Sequence, residues 1–452
     1  QRSLVYQRAK QEQETVPFGT QMDVYKSGYG YFTHSLAPVH PDNHNFRRRV
    51  GGPDCAQPYD ISLFNISGMS FGALSGNAIA ALNKGAATGG FAHDTGEGSI
   101  SPHHRRHGGD LIWQIASGYF GCRTADGQFD PEKFAATAAD PQVKMVELKL
   151  SQGAKPGHGG VLPASKISPE IAATRGIPMD RDCVSPAAHP AFSTPEELVD
   201  FLAELRRLSG GKPVGFKLCV GHPHEFMAIC KAMIARGTYP DFIVVDGKEG
   251  GTGAAPVEFT NSLGMPLREG LHFVHMTLIG AGIRDRVRIG ASGKIISGAD
   301  IATALALGAD WCNAARGFMF AVGCIQARAC HTNRCPTGVA TQDAARQRGL
   351  VVEDKYKRVA NFHRNTLRGF AEMLGAMGLD DPSQIRPDTL HIRATDPESV
   401  LHSRLMPGQL FEDSCPEAFA APWKLARVDS FRPDDTANMP TSGPYAPSEK
   451  HP

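Results

Sequence analysis

The sequence predicts an α/β fold: a closed (β/α)8 barrel with an N-terminal arm and a C-terminal helical extension. Three observations lead there. From residue 61, short apolar strands alternate with Ala-rich helices, glycine-rich turns follow successive strands, and no G-x-G-x-x-G opens a strand–helix unit. The alternation alone fits a doubly wound sheet equally well, because both architectures join parallel strands by crossover helices. The turns favour the barrel. "DGKEGGTGAAP", "ASGKIISG" and "NAARGF" follow consecutive strands, and the last two fall after strands 7 and 8, where barrels commonly seat phosphate. The missing fingerprint speaks against a dinucleotide site.

The elements follow in order. Residues 1–60 are polar and rich in Tyr, His and Arg, and read as an arm or cap. "ISLFNISGMSF" is strand then loop, and "GNAIAALNKGAATGG" is a helix ending at glycine. "VKMVELKLS" is a strand. "STPEELVDFLAELRRLSGG" is a helix with Ser193 as N-cap, Pro inside its start and Gly past its end. Strand and helix then alternate through "PVGFKLCV", "HEFMAICKAMIARG", "DFIVVDG", "LHFVHMTLIGAG", "RVRIGAS", "GADIATALALGA" and "WCNAA". This places the barrel at 61–350. An amphipathic helical extension occupies 351–429, and a Pro/Ser/Asp-rich tail, expected to be disordered or to lie over a partner, occupies 430–452.

Composition narrows the function. The 452 residues are 41% hydrophobic and 21% charged, with formal net charge +1. No global field points to nucleic acid or acidic lipid. No apolar run approaches the roughly 18 residues that span a bilayer. The chain begins at Gln1, so an N-terminal segment that attaches the protein to a membrane is left open. Of the ten cysteines, Cys55, Cys122, Cys183, Cys219, Cys230, Cys312 and Cys415 stand singly. They read as reduced thiols, which makes the cytoplasm the expected compartment. Cys324, Cys330 and Cys335 are different: the spacing C-x5-C-x4-C lacks the C-x2-C pairs of a zinc ribbon, and three thiols suggest an open site or a cluster with a missing corner.

Other segments carry chemistry. Gly250, Gly251 and Gly253 let backbone N–H groups approach a phosphate or a flat ring. Ser297 caps the helix that follows strand 7 and makes its N-terminus a candidate phosphate seat. Together these turns suggest FMN on a barrel mouth. "ELKLSQGAKPGHGG" places Lys149, Gln152 and Lys155 at a strand end and in the loop after it, where compact positive charge suits a carboxylate. "HDTGEGSISPHHRRHGG" carries Glu97 between two glycines and a cluster of His103, His104, Arg105, Arg106 and His107, which reads better as an exposed or anion-facing loop than as a metal site.

"GMSFGALS", "TGEG", "ELKLSQGAKPGHGG", "DGKEGGTGAAP" and "CIQARACHTNRCPTGVATQ", in this order, resemble the FMN-binding synthase domain of the glutamate synthase family over roughly residues 50–375. The resemblance implies a TIM barrel. It implies a [3Fe–4S] cluster on Cys324, Cys330 and Cys335, with structural zinc aided by His331 as the rival. It implies an oxidoreductase in which FMN takes electrons from the cluster and reduces 2-iminoglutarate, formed from 2-oxoglutarate and ammonia. By position, Met69, Ser70 and Gln152 would meet the flavin, with Lys217 at its N1–O2 edge. Gly250, Gly251, Gly253, Gly293 and Gly317 would line the ribityl and phosphate. Lys149, Lys155 and Arg175 would hold the substrate carboxylates, with Glu97 and Lys155 as catalytic candidates.

Two positions depart from the family pattern: Val161 stands where the large synthases carry glutamine, and His158 where they carry glutamate. No glutaminase or NAD(P)H domain is recognisable in these residues. The expected partners are therefore a 2-oxo acid, ammonia or an amine donor, a ferredoxin or reductase subunit, and a glutaminase-type protein; oligomerisation is open. The alternatives are a flavin/iron–sulfur electron-transfer or sensing protein, or an N-methylglutamate synthase-type subunit using methylamine.

Overall fold

The structure, a computed structural model, describes residues 2–15, 18–393 and 405–433. Eight parallel strands close into a barrel: β1 Phe64–Ile66, β2 His93–Asp94, β3 Leu111–Ile115, β4 Val143–Lys149, β5 Val214–Leu218, β6 Phe242–Asp246, β7 Arg288–Ser292 and β8 Trp311–Ala314. Pairing of Cys312 with Phe64 joins β8 to β1 and removes the open edge. Six of these strands are legible as apolar runs. β2 is two residues long, too short for any periodicity, and β3, "LIWQI", is buried at every position and shows no alternation.

Side chains of alternate strand residues point into the barrel, and their character changes from bottom to top. At the bottom, Ile112, Met145, Phe242, Val244 and Trp311 form an apolar layer with Ala92. One step further along the strands the inward residues are Gln114, Glu147, Lys217 and Asp246, all buried. Lys149 ends the row on β4 at the mouth.

The bottom layer is sealed by an antiparallel hairpin of Arg47–Val50 and Tyr59–Ser62, whose Val50 and Ile61 are fully buried against it. The boundary read at residue 60 falls inside this hairpin, because the arm contributes a plug to the core. The arm also opens with a helix, Arg2–Lys10, whose Tyr6 hydroxyl donates to the Cys324 carbonyl at 2.5 Å.

Around the barrel stand α1 Gly76–Gly89, α2 Pro131–Ala138, α3 Pro195–Leu208, α4 Pro223–Arg236, α5 Leu267–Gly280, α6 Gly298–Ala306 and α7 Val352–Ala376. Thr194, not Ser193, is the N-cap of α3: its side chain accepts from the Glu197 amide at 3.1 Å, while Glu197 reaches back to Ser193 and Thr194. Pro195 at the first helical position fixes the cap one residue later than the sequence reading. The α7 helix, read as part of an extension, packs against α1, α6 and the N-terminal helix. It fills the eighth helical place of the barrel. Its amphipathic face was visible in sequence, but not the neighbours that face would meet. From residue 434 the expected tail lies outside the described residues.

The α1–α7 contact is close at Gly85, where an added Cβ would come 2.5 Å from the Val359 side chain and 2.9 Å from the Tyr356 carbonyl. In an ordinary helix interior, Gly→Ala gains roughly 0.5–1 kcal/mol. Here the sign should reverse: Gly85→Ala should lose about 1–3 kcal/mol through overpacking, measured by urea unfolding.

Candidate active site at the barrel mouth

Four charged residues converge above β4. The Lys149 ammonium donates to Glu97 Oε2 at 2.9 Å and to Gln152 Oε1 at 3.1 Å. Lys155, 3% exposed, donates to the Gly159 carbonyl at 2.7 Å. Arg175, at the end of the short helix Pro169–Arg175, donates through Nη2 to the Phe71 carbonyl at 2.9 Å and to Ser70 Oγ at 3.3 Å. Its guanidinium lies over Phe120 at 5.2 Å, and its buried Nε has no hydrogen-bond partner among the described residues.

Burial alone would push the Glu97 carboxyl up. Lys149 first, then Arg175 and Lys155, more than offset this and hold it below its ordinary value. Burial lowers the Lys155 ammonium, an effect that Glu97 opposes. Gly160 matters for a steric reason: a Cβ there would run into the Glu97 carboxylate. The acid that Lys149 meets at the mouth comes from elsewhere in the chain: folding supplies Glu97. Among these four groups, cationic charge still exceeds anionic charge by two.

Below them lies a second charged layer. Lys217 Nζ is 3.7 Å from Asp246 Oδ2, and Asp246 Oδ2 also accepts the Gly153 N–H at 2.9 Å. Burial works against the Lys217 charge, but Asp246, Glu147 and Asp94 raise its pKa, so it is an ammonium. These three acids escaped the sequence reading. The available signal was an acidic residue inside an otherwise apolar strand, in "FIVVDG", "VKMVELK" and "FAHD".

The remaining candidates fall into separate groups. Met69 and Ser70 follow β1 directly and lie beside Gly96. Gly250 and Gly251 belong to the loop after β6, while Gly253 packs under Cys330 and His331. Gly293 follows β7, and Gly317 lies against Phe362 of α7 and Ile296. Val161 sits on a two-residue strand paired with Val184, and the His158 ring is 5.7 Å from Phe259.

The helix start at Ser297 carries a capping box with Asp300. Asp300 Oδ2 already accepts from the Ile296 and Ser297 amides and from Ser297 Oγ, which places a carboxylate there. A cation missed in sequence stands one strand further on. Arg316, directly after β8, donates to the Glu249 carbonyl at 3.2 Å and approaches Gly251. Arg316 thus stands beside the glycine loop after β6, while Lys217 belongs to the charged layer inside the barrel.

The cysteine loop is half-buried. Cys324, Cys330 and Cys335 affect one another's ionisation, and Lys166 faces Cys330 and Cys335. Burial raises the Cys335 thiol, but backbone N–H groups at Ala340, Thr337 and Val339, with the Thr337 hydroxyl, bring it below its ordinary value. The donor set suits thiolate ligation in kind. Among the described residues, however, no group of three or more His, Cys, Asp or Glu side chains is gathered so as to hold a metal ion. The His103–His107 segment is no exception; His93 and His104 are buried, and His93 is held neutral by burial, down to about 3. No helix among the described residues is long and apolar enough to cross a membrane.

The site is thus a cation-lined mouth on a charged barrel interior. The chain matches the conserved region of glutamate synthase over residues 44–380. It is 41% identical over 360 residues to the glutamate synthase large subunit-like protein YerD of Bacillus subtilis, covering 79% of this chain and 68% of that one. It is 35% identical over 328 residues to the archaeal glutamate synthase (NADPH) of Archaeoglobus fulgidus, covering 72% and 61%. A G81A mutant of an active chimera of (S)-mandelate dehydrogenase shares the fold at 13% identity, with a TM-score of 0.50 over 80% of this chain and 88% of that one. The protein belongs to the glutamate synthase family. It spans only about three fifths of the archaeal relative's length.

The Glu97 environment sets a pH dependence. A carboxyl held below its unfolded value contributes stability that is present above that value and lost as pH falls through the folded one. Lys149→Met removes the principal opposing charge, so this loss should begin at higher pH. Melting temperatures recorded from about pH 6 down to about pH 3 should separate variant from wild type, with the variant falling first.

Proposed function

We propose that this chain is a glutamate synthase-like oxidoreductase that converts a 2-oxo dicarboxylic acid, 2-oxoglutarate or a close relative, to its amino acid through an imino acid. The observation that carries this reading is the convergence of Lys149, Lys155 and Arg175 around a single carboxylate, Glu97. A site with two uncompensated buried cations calls for a dianion, and a dicarboxylate supplies it.

FMN is the redox group of this reading, and it supplies the electron pair that reduces the imine. Met69, Ser70, Gln152 and Lys217 would meet its ring. Gly250, Gly251, Gly253, Gly293 and Gly317, with Arg316, would meet its ribityl and phosphate. Lys149, Lys155 and Arg175 orient the substrate. Glu97, ionised beside Lys149, is placed to accept a proton from the incoming amine. Cys324, Cys330 and Cys335 would hold a [3Fe–4S] cluster, a role supported by the shared electrostatics of the three thiols and by Lys166 beside them. Ammonia or an amine comes from solution or a partner, and electrons from a ferredoxin or a reductase. The family relative from Archaeoglobus is named for NADPH, which makes a nicotinamide-dependent reductase one such source.

Four measurements test the reading. Boiled protein should release FMN and not FAD. Anaerobically purified protein should carry about three irons per chain, and Cys330→Ser should lose them while Cys230→Ser keeps them; stoichiometric zinc would replace the cluster assignment. Lys155→Ala should weaken 2-oxoglutarate binding at least tenfold, about 1.4 kcal/mol, with FMN retained. A flavin spectrum unmoved by millimolar 2-oxoglutarate, in wild type and in Val161→Gln, would sink the synthase reading in favour of an electron-transfer role.

A further inference from the structure

The charged layer inside the barrel does not balance. Asp94, Glu147 and Asp246 are 1%, 0% and 9% exposed and share one buried cation, Lys217, at 5%. Three ionised carboxylates around one ammonium would bury two uncompensated negative charges, a cost that proteins avoid by binding a proton.

The hydrogen bonds leave one carboxyl oxygen of the group without a donor. The Gln114 side-chain amide donates to Asp94 Oδ2 at 3.3 Å and to Glu147 Oε1 at 2.6 Å, which uses both of its N–H groups. Asp94 Oδ1 accepts the Gly96 amide at 2.9 Å. Both Asp94 oxygens therefore have donors. Glu147 Oε2, fully buried, has none among the described residues. A buried carboxyl oxygen with no donor, on a residue that shares the Gln114 amide with a second buried carboxylate, is the place for a hydroxyl.

We propose that Asp94 and Glu147 share one proton, and that this acid pair acts through Lys217 as a positioning device that sets the charge beneath the flavin seat. Every charged group facing the pair fits this account: Lys217 from β5 and Asp246 from β6 lie within the layer, and Lys149 lies further along β4. Burial first, and then the Asp94 charge, push the Glu147 carboxyl up to about 8. The pair lies directly under the mouth. A Cβ on Gly68, the residue before Met69, would stand 2.8 Å from the Gln114 amide nitrogen and 3.0 Å from Asp94 Oδ2. The role toward the cofactor rests on the flavin reading above; the shared proton does not.

The proton is tested first on flavin-free protein. A carboxyl whose folded pKa is raised stabilises below its unfolded value and loses that contribution as pH rises through the folded value. Wild-type melting temperature should therefore contain a decline from the ordinary carboxylate range up to about 8. Glu147→Gln, and independently Asp94→Asn should the first variant fold poorly, should remove it. Identical pH dependence in wild type and variants overturns the shared proton.

The second arm uses FMN-loaded protein reduced by dithionite. Two electrons and one proton enter the flavin, and a negative charge remains at its N1–O2 edge. That charge should hold the pair's proton to higher pH. Above about pH 8 the wild-type midpoint potential should then fall more steeply than that of Glu147→Gln, by one proton, a tenfold change per pH unit or about 30 mV. Parallel slopes with FMN bound overturn the link through Lys217. Absence of FMN overturns the flavin reading, and the stability arm then decides the acid pair alone.

Discussion

Three buried cations occupy the mouth of this barrel together because Glu97 stands among them. Two like charges about 4 Å apart repel by about 4 kcal/mol at an effective dielectric of about 20. A domain's whole stability is only about 5–15 kcal/mol, so Lys149, Lys155 and Arg175 cannot converge unopposed. Glu97 reaches them from the loop after β2, with room made by the missing side chain of Gly160. Arg175 is tied to the backbone of Phe71 and Lys155 to that of Gly159. The cations are therefore held by their own loops rather than by any substrate, which is preorganisation in its ordinary physical sense.

The same logic organises the interior. An apolar bottom layer, sealed by Val50 and Ile61, removes water from one end of the barrel. The layer above then sits where charge is expensive and therefore specific. Asp246 joins the two levels. It neutralises Lys217 inside, and it accepts the Gly153 amide from the loop that carries Lys155. This carboxylate thus ties the charged layer to the loop above it.

Much of this was legible in sequence. The alternation of "VKMVELKLS", "PVGFKLCV", "DFIVVDG" and "RVRIGAS" with helices marks the barrel, because parallel strands need crossovers. Lys149, Gln152 and Lys155 were legible because they cluster in one glycine-rich segment, "ELKLSQGAKPGHGG". What escaped reading depends on three-dimensional neighbours. β2 has too few residues to show a period, and α7 shows its apolar face but not its partners. The capping box at Ser297 depends on Asp300, three residues on, whose reach back to the Ile296 and Ser297 amides is a three-dimensional fact. Asp94, Gln114 and Glu147 lie on three different strands, and only the parallel pairing of those strands makes them one group.

The place of α7 bears on how the molecule is made. Its contacts with α1 and with the helix Arg2–Lys10 join the two ends of the polypeptide across more than 260 intervening residues. Contacts of such long range are slow to form, because the intervening loop must close before they stabilise anything. During synthesis the N-terminal strands and α1 leave the ribosome with the apolar face around Gly85 uncovered, and it stays so until residue 376 has emerged. A chain that ended before α7 would leave this apolar face of α1 without its cover.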